Sequence, residues 1–104
     1  MIYSELLSAL RAACDVVCEW EAPERAQRFV VASPYSAAGV AADNTCMIEI
    51  TQVQLDICWQ RPEDTLLADI KAALTARDTP YSVADVSYDP DYNAMRAILE
   101  VEVL

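Results

Sequence analysis

The sequence predicts an α+β fold: a largely antiparallel, mixed sheet of four to five strands with two helices packed on one face, in the order α-β-β-β-α-β-β. Three observations predict it. Apolar residues at helical spacing occur in only two segments, one at the start and one past the middle. Segments with alternating apolar and polar residues, joined by short turn-like connections, fill most of the remainder. The chain has 104 residues, of which 25 are Val, Ile or Leu and 23% are charged, so it reads as one folded domain, 1–104.

The first helix is predicted over Ile2 to Ala13, where Ile2, Leu6, Leu7, Leu10 and Ala13 share one face. Glu5 in its early turn and Arg11 in its late turn suit the helix dipole. Cys14 to Trp20 is β-rich and reads as a short strand, with Trp20 packing on the first helix. Glu19, Glu21, Pro23 and Glu24 break it. Arg28 to Ala32 reads as the next strand, stopped by Ser33-Pro34. The stretch from Ser33 to Asn44 holds the only Gly, Gly39, among small residues without a clear period. It is predicted to be a mobile loop or an extended arm, and its length favours a functional role.

Thr45 to Trp59 carries the strongest strand signal. Its apolar residues shift from even positions (Ile48, Ile50) to odd ones (Val53, Leu55, Ile57, Trp59). A bulge or bend at Thr51-Gln52 is expected to restore the register. Arg61-Pro62-Glu63-Asp64 reads as the start of the second helix, with Pro62 in its first turn and an apolar stripe of Leu66, Leu67, Ile70, Ala73 and Leu74. That helix is expected to end near Asp78, before Pro80. Tyr81 to Tyr88 is a less regular strand, interrupted by Asp85. Asp89-Pro-Asp-Tyr-Asn93 is a turn by composition. Ala94 to Leu104 alternates cleanly and closes an antiparallel hairpin.

Composition narrows the function. The net charge is −10, with one Lys and six scattered Arg, so a basic footprint for nucleic acid or an anionic membrane is missing. No segment approaches the roughly 20 apolar residues of a bilayer span. The N-terminal segment lacks the pattern of a secretory leader or transit peptide. The absence of His removes the commonest general base and metal ligand. One Gly cannot build a phosphate loop. Cys14, Cys18, Cys46 and Cys58 lack zinc-site spacing and read as reduced, mainly buried thiols. The reading is therefore of a non-enzyme with no catalytic residue, metal site or cofactor. Glu63/Asp64 reads as dipole pairing at a helix start, Asp89/Asp91 as turn chemistry, and Glu100/Glu102 as a solvated strand face.

Self-association fits better than catalysis. A chain this acidic must set its Arg residues against a neighbour's carboxylates, or recruit cations, when copies meet. Arg61 is one such residue. Tyr35 in the long loop and Tyr92 in the last turn fall outside the periodic faces, and interfaces favour Tyr.

The run Ala42-Asp43-Asn44-Thr45, followed by a long β segment ending in Val53-Gln54-Leu55-Asp56-Ile57, resembles the small tail-completion or tail-terminator proteins of long-tailed bacteriophages and prophages. The acid-rich helix from Glu63 to Asp78 and the closing strands Tyr81 to Tyr88 and Ala94 to Val103 continue the resemblance. The chain departs from that pattern in two places. Ile57-Cys58-Trp59 stands where the family has Leu-Tyr-Thr, and Arg28-Phe29-Val30 stands where it often has Pro and an aromatic. The resemblance implies a structural component of the virion tail, assembled in the host cytoplasm. Copies would form a ring, by expectation a hexamer, between the tail tube protein and the neck or connector protein. On that reading the self-association or docking residues are Tyr35, Gly39, Asp43, Asn44, Arg61 and Tyr92.

Two other readings compete. A cytosolic small-ligand-binding or regulatory α+β domain would hold its ligand between sheet and helices, with Thr51, Gln52 and Gln54 as its polar groups. A mimic of DNA would need carboxylates regularly spaced on one face, whereas most acids here fall in turns and helix starts.

Overall fold

The computed structural model describes residues 1–42 and 46–104, with side chains described outside 36–49. The order is α1 (Tyr3–Ala13), β1 (Val17–Glu19), β2 (Phe29–Ala42), β3 (Cys46–Trp59), α2 (Leu66–Ala76), β4 (Tyr81–Asp89) and β5 (Ala94–Val103). The five strands form one mixed sheet in the spatial order β1-β2-β3-β5-β4. Only the β1–β2 pair is parallel, and the fold is the α+β arrangement expected from the sequence. Neither helix is long and apolar enough to cross a membrane.

The apolar alternation decides which sheet face the helices cover. Val30 and Ala32 on β2, Val53, Leu55, Ile57 and Trp59 on β3, and Ala97, Leu99, Val101 and Val103 on β5 pack in one buried cluster with helical Leu6, Leu10, Leu66, Ile70 and Leu74. Each fully buried Leu or Ile contributes roughly 1.5–3 kcal/mol of transfer free energy. Backbone and side-chain bonds tie the helical layer to the sheet. Tyr3 donates its hydroxyl to Glu19 Oε1 at 2.7 Å, joining α1 to β1. Arg28 donates to Asp64 Oδ2 at 2.9 Å and to the Ala13 carbonyl at 3.4 Å, joining β2, the approach to α2 and the end of α1.

Three sequence expectations are corrected. The strand beginning near Arg28 does not stop at Ser33-Pro34: β2 continues to Ala42, paired with β3 down to Ala42↔Cys46. Pro34 is tolerated because it sits at a bulge, where a missing N–H costs little. That bulge lies on β2, not on β3 as expected. Pro34 pairs with Val53 and Ser36 with Gln52, leaving Tyr35 as the extra residue opposite the Gln52-Val53 step, next to the expected Thr51-Gln52 position. The second helix begins at Leu66, because Arg61-Pro62-Glu63-Asp64 forms a turn closed by the Asp64 N–H on the Arg61 carbonyl. Asp64 Oδ1 then accepts the Leu66 N–H at 2.9 Å, satisfying one free donor of the helix start. A second bulge, between Val83 and Asp85, accounts for the irregularity read at Asp85.

The pairing leaves a protrusion. β5 ends its pairing with β3 at Thr51↔Val103, and β1 ends its pairing with β2 at Ala32. Beyond these points, Ala38–Ala42 and Cys46–Ile50 have only each other among the described residues. The five pairs make a two-stranded ribbon roughly 17 Å long. The molecule measures 50 × 25 × 20 Å with a radius of gyration of 14.7 Å. A compact chain of this length would have about 13 Å, and the ribbon accounts for the excess.

Candidate functional site

Three features of the surface could carry function: the ribbon, the free edge at β4, and a pocket on the sheet face opposite the helices.

The ribbon joins Ala-Gly-Val-Ala-Ala on β2 to Cys-Met-Ile-Glu-Ile on β3, with one charged residue among these ten. An isolated two-stranded ribbon is marginal in water, and an apolar one gains stability by pairing or packing with another chain. Gly39 pairs with Glu49, the second pair of the ribbon, and has no positive φ, so it serves no turn here. Asp43 and Asn44 lie outside the described residues. Tyr35 bulges at the base of the ribbon and is 52% exposed.

The β4 edge is the second feature. Its pairing with β5 places Val83, Val86 and Tyr88 opposite Leu99, Ala97 and Met95, on the side that the helices cover elsewhere. The helical layer does not reach them, and they are 43%, 47% and 55% exposed. An apolar row beside an open backbone edge is a template for another strand. Nothing in the alternation of β4 marked it as uncovered, because that depends on where the helices lie.

The third feature is built from residues far apart in sequence. Phe29 and Val31 on β2, Asp56 and Cys58 on β3, and Arg96 on β5 point to the open face. Trp20 and Ala22 from the β1–β2 connection, and Asp89 and Tyr92 from the β4–β5 hairpin, form the walls. The pocket, open to solvent at one side, has a volume of about 270 Å³. Phe29 and Tyr92 lean together with ring centroids 5.5 Å apart at 59°, a tilted aromatic pair. Tyr92 is thereby packed as one wall of the pocket. The Tyr92 carbonyl accepts a bond from Gln60 Nε2 at 3.2 Å, which fixes the turn to the end of β3.

Arg96 lies between two carboxylates. Its Nη2 and Nε donate to Asp56 Oδ1 at 2.9 and 3.2 Å, and its Nη1 donates to Asp89 Oδ2 at 3.5 Å. Bonding to Asp56 holds the guanidinium's pKa above its ordinary value. Gln54 Nε2 donates to Asp56 Oδ2, and the Asp91 N–H donates to Asp89 Oδ1. Burial pushes the Cys58 thiol up, with Asp89 adding to the effect, so it is not a poised thiolate. Cys14, Cys18 and Cys58 are free thiols.

Trp20 is not core on α1, as its sequence position indicated; it is 62% exposed at the pocket lip. Its φ is 71°, and the Glu21 N–H bonds the Glu19 carbonyl across it at 2.8 Å. That is a γ-turn of the rare positive-φ kind, strained for a bulky residue. The Trp20 N–H bonds the Ala32 carbonyl at 3.1 Å and helps hold it there.

The residues picked out from sequence fall at two ends. Tyr35 and Gly39 belong to the ribbon. Arg61 is exposed in the β3–α2 turn, at the same end as Tyr92. Tyr35 lies six residues along β2 from Phe29, the partner of Tyr92, or roughly 20 Å away. Trp20, Asp56, Asp89 and Arg96 were missed as a group, because only the strand register brings them together.

No protein-family model matches this chain, and no curated protein matches it.

Proposed function

We propose that this protein is a structural assembly subunit whose copies associate through their sheet edges. The observation that carries the reading is the two-stranded ribbon projecting beyond the third strand, Ala38–Ala42 against Cys46–Ile50. Its apolar sequence and open edges gain most from a neighbouring chain. The open β4 edge, at the far side of the sheet, offers a second and different surface. Two different surfaces on one chain make a head-to-tail contact, which yields a closed ring if the rotation closes. With the resemblance in the Asp43 to Val103 region, the specific reading is a tail-terminator-like component. It would form a ring, by expectation a hexamer, at the head-proximal end of a phage tail tube and join it to the neck. Its place would be the virion tail, after assembly in the host cytoplasm. The six residues Tyr35, Gly39, Asp43, Asn44, Arg61 and Tyr92 enter this reading as docking candidates.

Sedimentation velocity and negative-stain microscopy of concentrated protein test it, with and without tail tubes. Rings or capped tubes are the expected result, with association strengthened by salt or Mg²⁺ as like-charge repulsion is screened. A chain that stays monomeric at every salt and Mg²⁺ concentration, and ignores tail tubes, overturns it.

The ligand-binding reading has one observation in its favour, the pocket at Trp20 and Tyr92. It lies on the face away from the helices, not between the layers, where Leu6, Leu55 and Leu66 fill the space. Thr51, Gln52 and Gln54 do not line it. Thermal-shift screening with small metabolites tests this reading, since a ligand specific for the folded state raises the melting temperature.

A further inference from the structure

We infer that the open-face pocket binds a small organic cation, a guanidinium or alkylammonium group, between the rings of Trp20, Phe29 and Tyr92 and the carboxylates of Asp56 and Asp89. The inference stands on the pocket alone and does not depend on ring formation.

Size limits the ligand first. A cavity of about 270 Å³ falls just below the common range for drug-sized ligands, so it suits a single side-chain-sized group. The wall chemistry comes next. Three aromatic residues converge on one small pocket, and Trp gives the strongest cation–π attraction. Charge then decides the sign. Two carboxylates against the one guanidinium of Arg96 leave the lining one unit negative, in a chain of net charge −10. An anion aimed at Arg96 would find three of its five N–H donors already given to Asp56 and Asp89, and would face the repulsion of both carboxylates. A cation meets three carboxylate oxygens, Asp56 Oδ2 and both of Asp89, that accept one bond each and have a lone-pair direction left.

The placement of Trp20 supports a binding role. A bulky residue at φ 71° costs free energy, and hydrogen bonds around it maintain the strain. The result is an indole left 62% exposed at a pocket lip, where hydrophobic burial cannot be the reason for its position. Asp56 and Asp89, whose side chains are 15% and 14% exposed, are shielded enough for their field to act on a bound group.

The test uses a matched pair of probes, ethylguanidinium and its neutral isostere ethylurea, with propionate as the anionic control. Each is titrated into the full-length protein at low concentration, followed by amide and indole chemical shifts. The expected result is saturable shifts at Trp20, Tyr92 and Arg96 with ethylguanidinium alone. Trp20→Ala should weaken the binding about tenfold. Asp89→Asn should weaken it about fivefold, with a smaller dependence on salt. Both positions lie outside the main core, and the unshifted remainder of each spectrum reports that the variant is folded. Equal binding of ethylurea, or shifts unaltered by both substitutions, overturns the inference. The same cationic chemistry is available from a free molecule and from an arginine of a second copy. Ethylguanidinium dissociating concentrated oligomers assigns the pocket to a neighbour's arginine, whereas saturable binding that leaves oligomers intact assigns it to a free cation.

Discussion

The two faces of this sheet are built to different rules. The helix-covered face is closed by residues such as Leu55, Ile57, Leu99 and Val101, all fully buried and without polar atoms. The open face carries a smaller cluster of Phe29, Val31, Cys58 and Ala94, bordered by Asp56, Arg96 and Asp89. Packing on the first face provides most of the stability, and its buried side chains fill the space between sheet and helices among the described residues. Packing on the second is incomplete, and its polar groups meet around a cavity. The difference shows that burial alone does not locate function in a small sheet protein; function is to be sought where the apolar layer stops and charged groups begin.

Substitutions on the two faces sharpen the contrast. The largest loss is expected for Leu55→Ala, which opens a cavity in the closed layer. It should cost about 2–5 kcal/mol in urea-induced unfolding. A cost below the lower bound would mean that the layer is less closely packed than described. Arg96→Ala on the open face comes next. It leaves Asp56 and Asp89 facing each other without their shared cation, and about 1–2 kcal/mol should be lost. A neutral result would mean that solvent already screens the three groups.

The Arg28–Asp64 pair ties the closed layer together at its rim and adds a pH dependence. The Arg28 bond holds the Asp64 carboxyl below the usual carboxylate range. Its contribution is therefore complete above the unfolded value, about pH 4. It fades as pH falls through the lower folded value. Arg28 is 39% exposed, so Asp64→Asn should cost only about 1 kcal/mol at neutral pH. The gap between the variant and the parent protein should narrow below about pH 4. A constant gap down to the acid transition would remove the pair as its source.

The smallest effects on stability belong to the edges, and there the readout is assembly. Replacing the ribbon segment 38–50 by an Asn-Gly turn should change unfolding free energy by less than about 1 kcal/mol, while abolishing rings. Val86→Lys on β4 should shift it by less than about 0.5 kcal/mol and lower self-association. Edge variants that assemble normally would separate the edges from the proposed function.

Much of the fold was legible because it depends on local pattern. The period of Leu6, Leu7 and Leu10 marks α1, and the alternation from Met95 to Val103 marks β5 and its buried side. The long β2 strand was not legible: Ser33-Pro34 has a local reading as a stop, and Ala-rich segments have no strong period. Pairing with β3 overrode that preference by satisfying the backbone groups of this stretch that face β3. The phase shift in β3 did announce a bulge, but a bulge belongs to a pair of strands, and a single sequence does not say which of the two carries the extra residue.

The sequence by itself determined the order of elements, the absence of a basic surface, and which residues of β3 and β5 seek the core. Those properties follow from side-chain chemistry and from the fixed periods of helix and strand. Only the tertiary structure decided that β4 lies beyond the helices, that the β2–β3 ribbon outruns its neighbours, and that Trp20 and Arg96 line one pocket on the open face. Each of these depends on register and layer placement, which are settled when distant strands pair.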